Sequence, residues 1–358
     1  MQSHNPKKKR LRHASWTPLL FLLLSACSHH PPPLPGAAQD LKPHQAQTAT
    51  EASTPTASPP QQIALESPHD LPPPPFTPAE IEGAAHSFLA YRYDGQYELR
   101  STAGVPIASG RTQAFITAVF PLPTGWCLAT TQPQSDGEVA AIQLLSIDGQ
   151  LSPPVQLADM IWSAVQDGDS LLVGLSNGSA LRVTGANVET ASEWHSPTPN
   201  QPLYLQRWAE TITPCQPGSL AMLGEPLGMC TAPFGSLQGA WQVPPIQCGP
   251  YLVMDERPLP PNGPNWTRTV LALTDGEALT RNEFLPEKAQ PRRPDCINDT
   301  LLLDTSGRGS ILQLPTLTLA QTQVCPEETR RIAASPHSIL CLGKDNTLAL
   351  VRWQTATE

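Results

Sequence analysis

The sequence predicts an all-β fold, a six- or seven-bladed β-propeller that follows a disordered, proline-rich tether. Three observations lead to it: short apolar runs between turn residues, a loose repeat, and a proline-rich stretch ahead of the first run. No long helical period is present. A pair of β-sandwiches is the alternative, because sandwiches are also built from short strands with turns at roughly 8–12-residue spacing.

Apolar runs joined by short turns predict β-hairpins. The run Phe88–Tyr93 and the run 96–100 flank Asp94-Gly95, a dipeptide that tight hairpins favour. Runs at 170–175 and 179–183 flank Ser176-Asn177-Gly178 in the same way. The stretch Gly174–Gly178 also fits the Gly-x-Ser-x-Gly pattern of serine hydrolases. That motif needs a strand that enters a helix, so we interpret this one as a turn.

The apolar triplets ahead of these turns recur at a loose period of about 42 residues, which is typical of four-stranded propeller blades. In a closed ring, the first strong strand (88–93) and the last (347–352) are predicted to lie in the same or adjacent blades. The approximate unit starts are Phe88, Cys127, Leu171, Leu220, Tyr251, Leu301 and Ile339.

The N-terminal residues have the layout of a Sec-type signal peptide. The basic segment Lys7–Arg10 precedes the apolar run Leu19–Leu24, and the small residues Ser25-Ala26 precede Cys27. The apolar run is shorter than the roughly 20 residues that a transmembrane helix needs. The predicted domains are therefore a signal peptide (1–26), a lipidated cysteine with the tether (27–78), and an all-β domain (79–358).

Leu24-Ser25-Ala26-Cys27 resembles the lipobox of bacterial lipoproteins at every position. The resemblance implies that the Cys27 sulfur takes a diacylglycerol and that the leader is cut just before it. An ordinary secreted protein is the alternative. By the same resemblance, Ser28 in place of Asp implies sorting to the outer membrane, with the body in the periplasm or at the cell surface and the membrane bound through the lipid anchor.

Composition distinguishes the tether from the body and limits the partners. The 42 prolines exceed the usual share of about 5%, and many lie between Ser28 and Pro75 among few large apolar residues. Such a segment cannot bury enough surface to order itself. The chain has 22 basic and 31 acidic residues, and the leader contains five of the basic ones, so the mature net charge is near −14. This charge argues against nucleic acid as a partner.

Seven cysteines remain after Cys27, so at least one is unpaired within the chain. Export to an oxidising compartment makes disulfides the expected state. The sequence predicts two disulfides, Cys215 with Cys230 and Cys325 with Cys341, without excluding other pairings. Cys127, in an apolar strand, is the expected odd thiol.

The sequence predicts no catalytic, cofactor-binding or metal-binding residues and no cofactor. His86 lies at the edge of the body, and only His195 and His337 lie well inside it, each in a proline-flanked loop, where exposure is more common than ligation. Trp194 and Trp266, in polar loops, are predicted to face a partner. The remaining tryptophans of the body lie in strand-like runs and are predicted to be core residues: Trp126, Trp162, Trp208, Trp241 and Trp353.

The last repeat adds a resemblance to a WD40-type blade, although the Gly-His and Trp-Asp pairs of that family are absent. Its residues are Ala333-Ala334-Ser335-Pro336-His337, Leu340, Gly343, Asp345-Asn346-Thr347 and Trp353. The predicted architecture also resembles the propeller lipoproteins that assist outer-membrane assembly, without their repeat motifs.

The expected function is that of a membrane-anchored envelope lipoprotein whose body binds or scaffolds another envelope protein. One alternative is a propeller enzyme that acts on a sugar or small molecule in its channel. Another is an accessory component of a secretion, pilus or conjugation apparatus.

Overall fold

The computed structural model describes residues 63–134, 137–208, 210–216, 228–241, 244–257, 265–284 and 294–355. These residues form 29 strands. In this part of the chain no helix has the length and apolar character needed to cross a membrane. The predicted signal peptide, Cys27 and the predicted tether up to residue 62 lie outside the described residues.

The strands follow one another as successive antiparallel hairpins. The first half of the chain contains β1 (Ile63–Leu65), β2 (His69–Leu71), β3 (Glu80–Gly83), β4 (Ser87–Tyr91), β5 (Gln96–Ser101), β6 (Pro106–Arg111), β7 (Phe115–Leu122), β8 (Gly125–Gln134), β9 (Gly137–Ser146), β10 (Val155–Leu157), β11 (Ile161–Asp167), β12 (Ser170–Leu175), β13 (Ser179–Thr184) and β14 (Asn187–His195). The second half contains β15 (Tyr204–Trp208), β16 (Thr211–Gln216), β17 (Gly228–Ala232), β18 (Gly235–Gly239), β19 (Ile246–Cys248), β20 (Tyr251–Glu256), β21 (Trp266–Ala272), β22 (Ala278–Phe284), β23 (Asp295–Asn298), β24 (Leu301–Asp304), β25 (Ser310–Gln313), β26 (Thr318–Thr322), β27 (Thr329–Ser335), β28 (Ser338–Gly343) and β29 (Leu348–Thr355).

The strands assemble into seven sheets, so the fold is a seven-bladed β-propeller and the predicted fold class is confirmed. Blades one to six take four consecutive strands each, from β3 to β26. Six of the seven predicted unit starts fall in the second strand of a blade. The seventh, Leu220, lies outside the described residues, and the second strand of its blade is β16.

Blade seven closes the ring by joining the two ends of the domain. It contains β27, β28 and β29, and both β1 and β2 pair with β29 on its outer side. The predicted tether boundary at residue 78 is therefore corrected, because residues 63–71 belong to the propeller. These segments are only three residues long and stand among prolines, and their pairing with β29 reveals them. Blades seven and one are neighbours, as predicted for the first and last strong strands.

The core consists of seven apolar clusters, one between each pair of neighbouring blades. Between blades one and two, for example, Leu89 and Leu99 pack with Trp126 and Leu128. A middle strand therefore buries both of its faces, and all five residues of β4 are buried. This explains why second strands such as β4, β12 and β24 contain continuous apolar runs instead of an alternating pattern.

Close contact at the ring closure also restricts residue size. A Cβ added at Gly83 of blade one would lie 1.9 Å from the carbonyl oxygen of Ala334 in blade seven. Any side chain at position 83 would push the two blades apart. The glycine is therefore required by packing between the two ends of the domain.

Two buried arginines tie segments together. Arg100 of β5 donates from Nη1 to the Gly104 carbonyl oxygen at 3.0 Å and from Nη2 to the Pro72 carbonyl oxygen at 2.7 Å, and it pairs with buried Glu98. Pro72 directly follows β2, so Arg100 fastens the closing segment to blade one. Arg268 of blade five binds both oxygens of Asp255 at 2.7 Å and reaches Asp304 of blade six at 3.1 Å.

Candidate functional site

The first strands of the blades surround a central channel of about 760 Å³. Its charged lining residues come from four blades: Glu80, Glu82, Arg207, Asp295 and Arg331. A cavity of this volume falls within the range of small-molecule sites. The channel is therefore one place at which the geometry could bind another molecule.

Much of the charge in the channel is already used within the protein. Arg331 binds both carboxylate oxygens of Glu80, with Nη2 to Oε1 at 2.6 Å and Nε to Oε2. Tyr93 donates its hydroxyl to Glu80 Oε1 at 3.0 Å. The bond to Glu80 raises the pKa of Arg331, and burial followed by the Glu80 charge raises the pKa of Tyr93. Arg331 therefore stays charged and Tyr93 stays protonated at neutral pH.

Two further channel residues also contact the backbone. Arg207 donates from Nη2 to the carbonyl oxygen of Gln166, and Asp295 Oδ2 accepts the Ala334 N–H at 3.4 Å. These bonds join blade four to blade three and blade six to blade seven. The charged side chains of the channel thus serve first to hold neighbouring blades together.

The second place is a set of aromatic side chains where three successive first strands begin. Phe115 begins β7, Trp162 is the second residue of β11, and Tyr204 begins β15. Phe115 is 47% exposed and Trp162 is 38% exposed. The Trp162 and Tyr204 rings lie 5.6 Å apart between centroids. We call Phe115, Trp162 and Tyr204, together with Tyr93, the aromatic rim.

Local backbone geometry explains why these rings are exposed. In the ladder between β11 and β12, Ile161 pairs with Leu175 and Ser163 with Gly174, which leaves Trp162 in a β-bulge. A bulge re-aims a side chain away from its regular alternation. Tyr93, in the turn after β4, is held beside Phe115 by the bond from the Ile116 N–H to the Tyr93 carbonyl oxygen at 3.0 Å.

Two of the tryptophan predictions are wrong, those for Trp162 and Trp266. Trp162 was predicted to be a core residue but is exposed, because the bulge takes it out of the ladder. Trp266 was predicted to face a partner but is buried, because it begins β21 instead of lying in a loop. The other four predicted core tryptophans are buried. Nothing in the sequence separates a bulged strand residue from a paired one.

The structure contains three disulfides. Cys215 is bonded to Cys230 and Cys325 to Cys341, the two pairs named from the sequence. A third bond joins Cys248 to Cys296, between β19 of blade five and β23 of blade six. Their separation of 48 residues concealed this pair, since only the ring brings the two strands together. Cys127 is free and buried, as expected of the odd thiol.

The remaining sequence motifs are placed as follows. Ser176 lies in the turn between β12 and β13 and donates to Asp159 Oδ1 at 2.6 Å, so the Gly174–Gly178 stretch is a hairpin turn. His195 and His337 are both exposed, and His337 lies against the Trp353 ring. Across the described residues, no group of three or more His, Cys, Asp or Glu side chains has a metal-binding arrangement.

The seven radial blades with a central channel define the class of this protein as a seven-bladed β-propeller. No protein-family model matches the chain, and no curated protein matches it by sequence. Among solved structures, it is similar to BamB from Moraxella catarrhalis at 12% identity, over 81% of this chain and 99% of that one, with a TM-score of 0.52. It is also similar to BBS1N, crystallised in complex with ARL6DN, at 12% identity over 80% of this chain and 96% of that one, with a TM-score of 0.53. These likenesses show the fold.

Proposed function

We propose that this chain is a membrane-anchored envelope lipoprotein whose propeller binds another protein through the aromatic rim. The observation that carries the proposal is the exposure of Phe115 and Trp162 at the start of adjacent first strands. Exposed aromatic clusters mark interaction sites, and aromatic residues supply much of the binding energy at protein interfaces. The rim therefore provides the hot-spot residues that such an interface needs.

Three further observations support the proposal. The resemblance of Leu24–Cys27 to a lipobox favours a membrane-anchored mature chain, and three disulfides suit an oxidising compartment outside the cytoplasm. BBS1N, which has a similar fold, was crystallised with a protein partner. The mature net charge near −14 favours a partner that surrounds its apolar contact with basic side chains.

Site-specific photo-crosslinking in intact cells tests this proposal. A photoreactive phenylalanine analogue placed at Phe115 or at Trp162 should capture the same partner band. Matched controls are Val105 and Ile147, which are also exposed and apolar but lie at the opposite ends of the strands. Trp162→Ala should weaken capture from position 115 by about tenfold, as removal of a hot-spot ring does. Equal capture from rim and control positions would contradict the proposal.

A second candidate, an enzyme that acts in the channel, is favoured by one observation. Glu80, Glu82 and Asp295 line the same cavity, and paired carboxylates perform glycoside hydrolysis. Glu82 of blade one and Asp295 of blade six are the pair to test. Hydrolysis of nitrophenyl glycosides that is lost in both Glu82→Gln and Asp295→Asn, but retained in Trp162→Ala, would support the enzyme. Absence of hydrolysis in the unaltered protein would count against it.

A further inference from the structure

A run of four prolines, Pro72–Pro75, directly follows the closing strand β2 on the surface of the propeller. The proline ring fixes φ at about −65° in each of these residues. Residues 71–74 each precede a proline, which restricts their ψ to the extended region. The run therefore adopts the left-handed polyproline II helix, which has three residues per turn and rises about 3.1 Å per residue. We call this run the proline ridge.

The burial of one ring fixes the rotation of the ridge about its own axis. With three residues per turn, the rings form three edges: Pro72 with Pro75 on the first, Pro73 on the second and Pro74 on the third. Pro74 is buried, whereas Pro72, Pro73 and Pro75 are exposed. One edge of the helix therefore packs on the propeller, and the other two edges face solvent.

The segment that contains the ridge is held at both of its ends. Before the ridge, β2 pairs with β29, and Leu71 packs against the apolar cluster between blades seven and one. Arg100 donates from Nη2 to the Pro72 carbonyl oxygen at 2.7 Å. After the ridge, Arg330 donates from Nη2 to the Pro78 carbonyl oxygen. The ridge is therefore preorganised, so a partner would bind it with little loss of conformational entropy.

We propose that the proline ridge docks into an aromatic-lined groove of a partner protein that recognises the polyproline II conformation. Proline-rich segments bind in such grooves because their helix is already formed. A concave groove contacts a three-edged helix along two edges, and the ridge leaves two edges exposed. Its carbonyl oxygens accept hydrogen bonds, and proline has no N–H to donate to a β-ladder, so a strand is an unsuitable partner. The ridge is separate from the aromatic rim, so each proposal can fail without the other.

Titration of the full chain into an isotope-labelled WW domain that binds uninterrupted proline runs tests this proposal by NMR. We expect chemical-shift changes in the aromatic groove of the probe. The double variant Pro73→Ala with Pro75→Ala removes a ring from each exposed edge and should weaken binding by at least about tenfold. Both rings are exposed, so circular dichroism of the double variant should match that of the unaltered protein.

Two controls separate the ridge from other prolines of the chain. Pro154→Ala alters an exposed proline in the loop before β10 and should leave binding unchanged. A probe whose groove tryptophan is replaced by alanine should not bind. Absence of binding to the intact probe, or binding that survives in the double variant because the probe docks on other prolines, would overturn the proposal. Dimers of the full chain that are lost in both the double variant and Trp162→Ala would also overturn it, since a second copy would then provide the groove.

Discussion

Arg331 in the first strand of blade seven binds both carboxylate oxygens of Glu80 in the first strand of blade one, although 251 residues separate them. The pair lies across the joint where the ring closes. It therefore adds to the strand pairing of β1 and β2 with β29 in fastening the ends of the domain.

Glu80→Gln should lower the free energy of unfolding by about 1–2 kcal/mol, because it weakens charge-assisted bonds in a partly buried site. Urea denaturation measures this change. The matched control is Asp167→Asn, which removes a carboxylate from the more exposed pair with Arg182 within blade three. The control should cost less than about 0.5 kcal/mol. Equal losses would mean that the Glu80 pair has no special role in closure.

Arg100→Leu should destabilise the propeller by about 3–5 kcal/mol, because it leaves Glu98 buried without its partner. It also leaves the carbonyl oxygens of Gly104 and Pro72 without the hydrogen bonds that Arg100 donates. The double variant Arg100→Leu with Glu98→Leu should recover part of the loss, since no unpaired charge remains. Thermal unfolding monitored by circular dichroism compares the three proteins. A double variant less stable than Arg100→Leu alone would contradict this account.

Loss of the Cys248–Cys296 disulfide should cost more than loss of Cys215–Cys230. In the chain-entropy model, a bond that closes 48 residues contributes about 4 kcal/mol, and one that closes 15 contributes about 3 kcal/mol. Urea denaturation of each paired Cys→Ser variant gives the two values. The opposite order would show that strand pairing, and not loop closure, determines the contribution of each bond.

Cys127 should resist alkylation in the native protein at pH 8 and react once the protein unfolds. Burial raises the pKa of its thiol from 9.0 to about 12. Because the folded pKa lies above the unfolded one, the stability that this thiol contributes is complete below pH 9 and is lost as the pH rises towards about 12.

Mass spectrometry after alkylation in denaturant without reductant identifies the labelled cysteines of the propeller. Only Cys127 should carry the label, and the six bonded cysteines should not. Between about pH 9 and 11, the free energy of unfolding should fall less steeply with pH in Cys127→Ala than in the unaltered protein. Native-state labelling of Cys127 as fast as in denaturant would contradict the burial argument.

Cys27→Ala should abolish lipid labelling of the full chain, because it removes the only thiol that the lipobox presents. Each buried methylene contributes about 0.8 kcal/mol to membrane attachment, so the acyl chains provide most of the anchoring. We expect the leader to stay uncleaved and the propeller to stay folded. Metabolic labelling with palmitate measures lipid addition, and membrane fractionation measures attachment to the membrane. Persistent lipid labelling would disprove the lipobox assignment.

The sequence predicted the repeat well because each blade buries its second strand on both faces. Burial on both sides forces a continuous apolar run such as Leu301–Leu303, and a run of this kind is visible without any structure. The outer strands are weaker signals, since they are partly exposed and of mixed composition. The strands β1 and β2 are only three residues long and lie between prolines, so the sequence predicts tether at these positions.

The functional surfaces were less predictable because they depend on register and on neighbours. Trp162 is exposed through a one-residue bulge, and Pro74 is the one ring of the proline ridge that is buried. Neither feature changes the residue pattern. A structure is needed to show which residue of a strand has left the ladder.

The sequence by itself determined the all-β class and the period of the blades, and it predicted two short-range disulfides and a lipobox. These are local properties, set by side-chain pattern, turn chemistry and short separations along the chain. Only the tertiary structure decided the number of blades, the closing strand, the Cys248–Cys296 bond and the aromatic rim. Each of these features depends on residues that are distant in sequence. The closed ring brings those residues together, because it buries each blade against two neighbours.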